Sequence, residues 1–192
     1  MNTPSREAVE KDIRHWLMSN WDPSLSLQAW RELLVDAGWA VPSWSRQCFG
    51  RDLPAWADQV VADEIRLIGA VGQPLGSGMS LAAPTIVEHG SDELRQLILR
   101  PTLTGEKTWC QLFSEPGAGS DLAGLSTSAV LDGDEWVING QKVWTTGGHH
   151  ADYCFLLTRT DTTGVKHAGI TYLLVPMRQP GVEVRGIVQP DG

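Results

Sequence analysis

Two short segments of this 192-residue chain could do chemistry. The first is Ser114-Glu115-Pro116-Gly117-Ala118-Gly119-Ser120-Asp121. Small residues in succession let a backbone approach another molecule closely. Successive N–H groups in such a loop can hold an anion, commonly a phosphate. Ser114 and Ser120 add hydroxyls that donate or accept. The spacing is not GxGxxG after a strand, and no Lys-Ser or Lys-Thr follows to make a P-loop. The second segment is Asn139-Gly140-Gln141-Lys142-Val143-Trp144-Thr145-Thr146-Gly147-Gly148. An indole beside two hydroxyls suits a flat aromatic ligand, because the ring packs and a hydroxyl bonds a ring nitrogen. Taken alone, each segment also has a plainer reading: a surface turn, and a hairpin with a packed tryptophan.

Other polar residues invite weaker readings. His149 and His150 follow the glycine pair. Neighbours in sequence rarely face one ligand, and no Cys/His cluster is near, so no metal site is expected. Asp121 reads as a turn or cap residue. Cys48, Cys110 and Cys154 are odd in number and widely spaced, with no CxxC pair. Reduced thiols are expected, with neither a zinc ribbon nor a disulfide framework.

The elements that must position these segments fall into two textures. Before Trp109 the pattern is helical. Val9, Ile13 and Leu17 recur at four-residue spacing, with Pro4 suited to the first turn. A second helix starts after Ser26, buries Leu27, Trp30, Leu33, Leu34 and Ala37, and closes at Gly38. A third spans about 54–70, a fourth about 79–89, and a short fifth starts after Ser91 and stops before Pro101. After Trp109, strands are expected at 127–131, 135–138, 141–145, 153–158, 169–175 and 181–185. Asp132-Gly133-Asp134 and Asn139-Gly140 are their turns. Helices first and antiparallel strands second define an α+β chain, with domains at 1–108 and 109–192.

The net charge of −8 argues against nucleic acid and anionic membrane as partners. An anionic cofactor remains possible, since backbone N–H groups bind phosphate without net positive charge. No window approaches a membrane span, and the N-terminus has no apolar signal core. A cytoplasmic location is expected. Most of the nine tryptophans are expected in packing roles, Trp144 excepted.

Together the two segments strongly resemble the middle domain of acyl-CoA dehydrogenases. The stretch 109–161 reads as that family's signature. Upstream, Ala83-Pro84-Thr85, His89-Gly90-Ser91-Asp92-Glu93 and Leu103-Thr104-Gly105-Glu106 resemble its last N-terminal helices and the turn into the sheet. The resemblance implies an N-terminal helical domain, then a truncated antiparallel β-barrel-like domain, with FAD as cofactor. It implies α,β-dehydrogenation of an acyl-CoA substrate, with electrons leaving through an electron-transferring flavoprotein. Carried over by position, Gln111, Leu112, Phe113, Ser114, Glu115, Pro116, Gly117, Ala118, Gly119 and Ser120 line the flavin. Ser120 also faces the acyl-CoA. Trp144 packs beside the isoalloxazine, Thr145 follows it, and the Thr146 hydroxyl bonds flavin N5. The family places its catalytic base elsewhere, so Glu115 is expected to be a structural hydrogen-bonding group.

The family also implies about as much chain again after residue 192, including the glutamate base, a further helical domain and the remaining strands. No catalytic residue is therefore expected within 1–192. The chain alone is expected to bind FAD weakly or not at all, without turnover, and its open sheet edge to favour association as a homo- or hetero-oligomer. Two other readings stay open. One is a non-catalytic flavin-binding subunit completed by a partner chain. The other is a flavin monooxygenase or nitroalkane oxidase of the same fold.

Overall fold

The computed structural model describes residues 3–187. The first two residues and the tail 188–192, which bear on the terminus and the end of the sheet, lie outside them. The chain divides into two compact units between Lys107 and Thr108.

The first unit is helical: α1 (Arg6–Asn20), α2 (Leu27–Asp36), α3 (Trp56–Leu67), α4 (Ala83–His89) and α5 (Asp92–Thr104). Three helices start the same way. The hydroxyls of Ser5, Ser26 and Ser91 accept from the N–H three residues on, which satisfies a donor the helix cannot. Pro4 precedes the cap of α1 rather than sitting in its first turn. Leu27 and Leu33 are exposed on α2, while Trp30, Leu34 and Val35 are buried. α3 is shorter than its pattern, and Ile68 beyond it is exposed. A π turn, Gly78–Ala82, leads into α4.

Pro101 does not stop α5. The helix runs through it and ends at Gly105, whose φ of 80° suits the residue that closes a helix in left-handed backbone. The carbonyl that Pro101 leaves without a donor belongs to Leu97, an exposed residue near the middle of the helix, so water can replace the missing N–H. The core holds Ile13, Leu17, Trp30, Leu34, Val60, Val61, Leu99 and Leu103. Trp16 and Trp21 pack on Trp30 at ring separations of 5.7 and 4.7 Å, and the Trp30 indole N–H donates to Val71 O at 2.6 Å.

The second unit is a sheet of β1 (Trp109–Leu112), β2 (Ser128–Asp132), β3 (Glu135–Asn139), β4 (Tyr153–Arg159) and β5 (Ile170–Pro176). β4 is central. β5 pairs with it antiparallel, from Tyr153↔Pro176 to Arg159↔Ile170. β1 pairs with it in parallel, from Trp109↔Tyr153 to Leu112↔Leu156. β2 joins in parallel at Ser128↔Arg159 and carries β3 antiparallel. The sheet is mixed and open: the expected antiparallel pairing holds for β2–β3 and β4–β5, while β1 and β2 meet β4 in parallel. The reason is local. Asp152 and Tyr153 both donate to Thr108 O, which starts β4 beside the start of β1 and points the two strands the same way. β1 itself was not foreseen as a strand.

Two further expectations fail here. Residues 141–145 and 181–185 form no strand. The second stretch alternates apolar and polar, but it is exposed and no described strand lies beside it to supply a ladder. Asn139-Gly140 is not a hairpin turn, because residues 141–145 form no return strand to pair with β3. Gly140 serves close approach instead, since a Cβ there would lie 2.3 Å from the Thr127 hydroxyl.

Both faces of β4 are covered, which explains its nearly continuous apolar run. Cys110, Ala151, Cys154, Leu156 and Met177 pack on one side. Phe155 packs with Phe113 and Tyr172 on the other. Among the described residues, no helix is long and apolar enough to cross a membrane.

Candidate functional site

The glycine-rich segment leaves the end of β1 and folds into a tight turn. Glu115 N–H donates to Ala118 O at 2.9 Å, and Ala118 N–H donates back to Glu115 O at 3.1 Å. Pro116 has no N–H, so within residues 115–120 the donors left open are those of Gly117, Gly119 and Ser120. These three residues are exposed, and Ala118 is buried. Gln111, Leu112, Phe113 and Ser114 are half-buried along the approach to the turn.

Glu115 faces inward. Its carboxylate accepts from the Ser126 N–H and hydroxyl, both at 2.7 Å, from Thr127 N–H at 2.8 Å and from Lys142 Nζ at 2.9 Å. Only 3% of the Glu115 side chain and 5% of Lys142 are exposed. Burial alone would raise the Glu115 carboxyl. The hydrogen bonds from Thr127, Ser126 and Lys142 outweigh it and hold the group well below the usual carboxylate range. A carboxylate with four donors already in place is a structural anion, not a proton acceptor.

The second segment crosses back over the first. Lys142 Nζ also donates to Phe113 O at 3.0 Å, and Val143 N–H donates to Ser114 O at 2.9 Å. These bonds bring the two sequence-predicted segments together. Trp144 follows with φ of 60° and 75% of its surface exposed. A bulky residue in left-handed backbone is an outlier, and such strain gathers at functional sites. Thr145 is half-buried and Thr146 is exposed. Among the described residues, the hydroxyls of Ser114, Ser120, Thr145 and Thr146 have no hydrogen-bond partner. No hydrogen bond or ion pair joins Ser120 or Thr146 directly to the Glu115–Lys142 pair.

Asp121 pairs with Lys166, which holds its carboxyl below the ordinary value. His149 and His150 are exposed, with rings 6.4 Å apart. Sequence reasoning missed Lys142, Ser126 and Thr127. The signal for Lys142 was present: it is the sole lysine or arginine between Lys107 and Arg159, in a stretch that holds Glu115 and five other carboxylates.

Known proteins carry the same two units. Residues 4–106 match the acyl-CoA dehydrogenase N-terminal domain, and residues 110–192 match the acyl-CoA dehydrogenase middle domain. Acyl-CoA dehydrogenase IpdE1 of Mycobacterium tuberculosis is 42% identical over 165 residues, which cover 86% of this chain and 43% of that protein. Among solved structures, the ChsE4-ChsE5 complex from Mycobacterium tuberculosis superposes with a TM-score of 0.65 at 32% identity, covering 93% of this chain and 48% of that one. The Tcur3481-Tcur3483 steroid ACAD superposes with a TM-score of 0.66 at 28% identity, covering 94% and 50%. The chain therefore spans about half the length of the relatives it matches. Its architecture is that of a helical unit followed by an open, mixed sheet unit. The chain belongs to the acyl-CoA dehydrogenase family.

Proposed function

We propose that this chain carries the flavin-binding part of a FAD-dependent acyl-CoA dehydrogenase, which converts an acyl-CoA thioester to its 2-enoyl-CoA. The observation that supports this most is Trp144. It is exposed, strained and tied by Lys142 and Val143 to a loop with three open N–H donors. These groups fit a flavin: a flat face for the ring, hydroxyls at Ser114, Thr145 and Thr146 for its polar edge, and N–H groups for its phosphates.

In this reading, residues Gln111 to Ser120 line the cofactor, and Ser120 also meets the acyl-CoA. Glu115 contributes its backbone only, because its carboxylate is occupied. Trp144 packs beside the ring, and the Thr146 hydroxyl donates to a ring nitrogen. FAD, when bound, supplies the acceptor for the hydride from the β-carbon. The acceptor for the α-proton lies outside the two segments. An electron-transferring flavoprotein would be the partner that receives the electrons.

A second reading has one observation in its favour. A solved neighbour is a complex of two named proteins, ChsE4 and ChsE5. By that analogy a partner chain completes the site, and this chain supplies the flavin face. The steroid label on another neighbour widens the acyl group from a simple fatty chain to a ring-bearing one.

The test is a visible absorption spectrum of the purified chain with FAD, before and after adding acyl-CoA. We expect a perturbed flavin band that is not bleached by acyl-CoA. A band identical to free FAD would count against the flavin site. Bleaching would overturn the claim that the proton acceptor lies elsewhere.

A further inference from the structure

Lys142 has a geometry that a packing role does not require. It is the lone lysine or arginine between Lys107 and Arg159, yet it is turned inward. Its ammonium joins Phe113 O and the Glu115 carboxylate, while the next residue, Val143, donates to Ser114 O. Three bonds thus fix residues 142–143 onto residues 113–115. The residue that follows them is Trp144, in left-handed backbone with its indole in solvent. On its far side, Gly148 N–H closes on Thr145 O at 3.2 Å. A strained conformation persists only where its surroundings over-determine it. A buried ion pair is a costly way to fill space, and apolar residues of similar volume do that as well or better.

We propose that Lys142 is a positioning residue: with Glu115 it locks segment 142–145 onto segment 113–115 and so presents the Trp144 indole to a flat aromatic ligand. The identity of that ligand as a flavin rests on the function proposed above. The lock itself does not.

The test uses the full chain in two parts. In the first, without cofactor, amide exchange and the Trp144 indole N–H resonance are followed by NMR, with Trp144→Phe to assign the indole. Lys142→Met alone strands a buried carboxylate, so the informative variant is Glu115→Gln with Lys142→Met, which removes both charges at similar volume. The expected result is selective. The Val143 amide exchanges roughly tenfold faster, as for loss of one ordinary hydrogen bond. The Trp144 resonance moves toward its position in the urea-unfolded chain, and the Phe155 and Leu156 amides of β4 keep wild-type rates. Unchanged Val143 and Trp144 signals would overturn the proposal. So would acceleration of β4 together with Val143, or a double variant that does not fold, since either makes the pair a general fold element.

The second part adds FAD to both proteins and measures quenching of flavin fluorescence. Weaker quenching by the double variant than by wild type supports the lock's role toward the flavin. Equal quenching by both overturns that role. Freed Trp144 in the variant with no quenching by wild type leaves the lock standing and removes the flavin reading, so the two failures are distinguishable.

Discussion

Trp109 aside, which is buried against Tyr153, the sheet unit uses its tryptophans differently from the helical unit. In the helical unit, Trp30 is 1% exposed, packed by Trp16 and Trp21, with its indole N–H bonded to Val71 O. In the sheet unit, Trp144 is 75% exposed on strained backbone, and Trp136 sits on an open hairpin beside Leu131. An indole fully packed and hydrogen-bonded stabilises its own fold. An indole held outward at a conformational cost has no such return within the unit. The contrast teaches that the helical unit uses its indoles for its core, whereas the sheet unit holds Trp144 outward, as the flavin site proposed above requires.

The largest effect that would sharpen this contrast is at Glu115. Glu115→Ala strands the buried Lys142 ammonium and should cost about 3–5 kcal/mol, read as a lower urea midpoint. A loss within 1 kcal/mol would mean the pair is not the anchor of the sheet unit. In the helical unit, Leu34→Ala should cost about 2–5 kcal/mol as a fully buried leucine. Amide exchange should place that loss within residues 3–107, with less change in β4 and β5.

Stability against pH should be set by the sheet unit on both sides. Glu115 has a depressed carboxyl, so its contribution is present above the unfolded value of roughly 4.3 and is lost as pH falls below it. Glu115→Gln should flatten that acid limb. Cys110 and Cys154 face each other in register on β1 and β4. Burial pushes the Cys110 thiol up to about 11, and burial with the neighbouring thiol pushes Cys154 up to about 12. Their contribution is present below roughly pH 8.5 and is lost as pH rises through the folded values. A Cys110→Ala, Cys154→Ala double variant should therefore show a flatter alkaline limb in thermal melts.

The smallest effects separate the two exposed tryptophans from the packed one. Trp144→Gly removes a bulky side chain from left-handed backbone and should leave stability unchanged or raise it by about 1 kcal/mol. Trp136→Ala, on the open hairpin, should change stability by no more than about 0.5 kcal/mol. A loss of several kcal/mol in either case would erase the contrast with Trp30.

Much of the helical unit was legible because its signals are local. Ser5, Ser26 and Ser91 act as caps within three residues of their partners. The misses there are at element edges, as at Pro4, Leu27 and Ile68, and at Pro101, whose strong stop the exposed Leu97 makes tolerable. The sheet unit was less legible because its register depends on contacts far apart in sequence. The parallel start of β4 is set by Thr108, more than forty residues upstream. Asn139-Gly140 has the composition of a hairpin turn, yet its glycine answers to Thr127 across the fold. Both candidate segments were found from composition. What joins them, the inward Lys142, was hidden because a lysine ordinarily belongs in water.

The most direct test of the central claim is a FAD titration of the wild-type chain and Trp144→Gly by flavin fluorescence quenching. Weak, saturable quenching is expected for the wild type. Trp144→Gly, equally stable, should bind at least about tenfold more weakly, near the truncation cost of one stacked aromatic anchor. Equal affinity in the two proteins, or no quenching by the wild type at any FAD concentration tested, would contradict it.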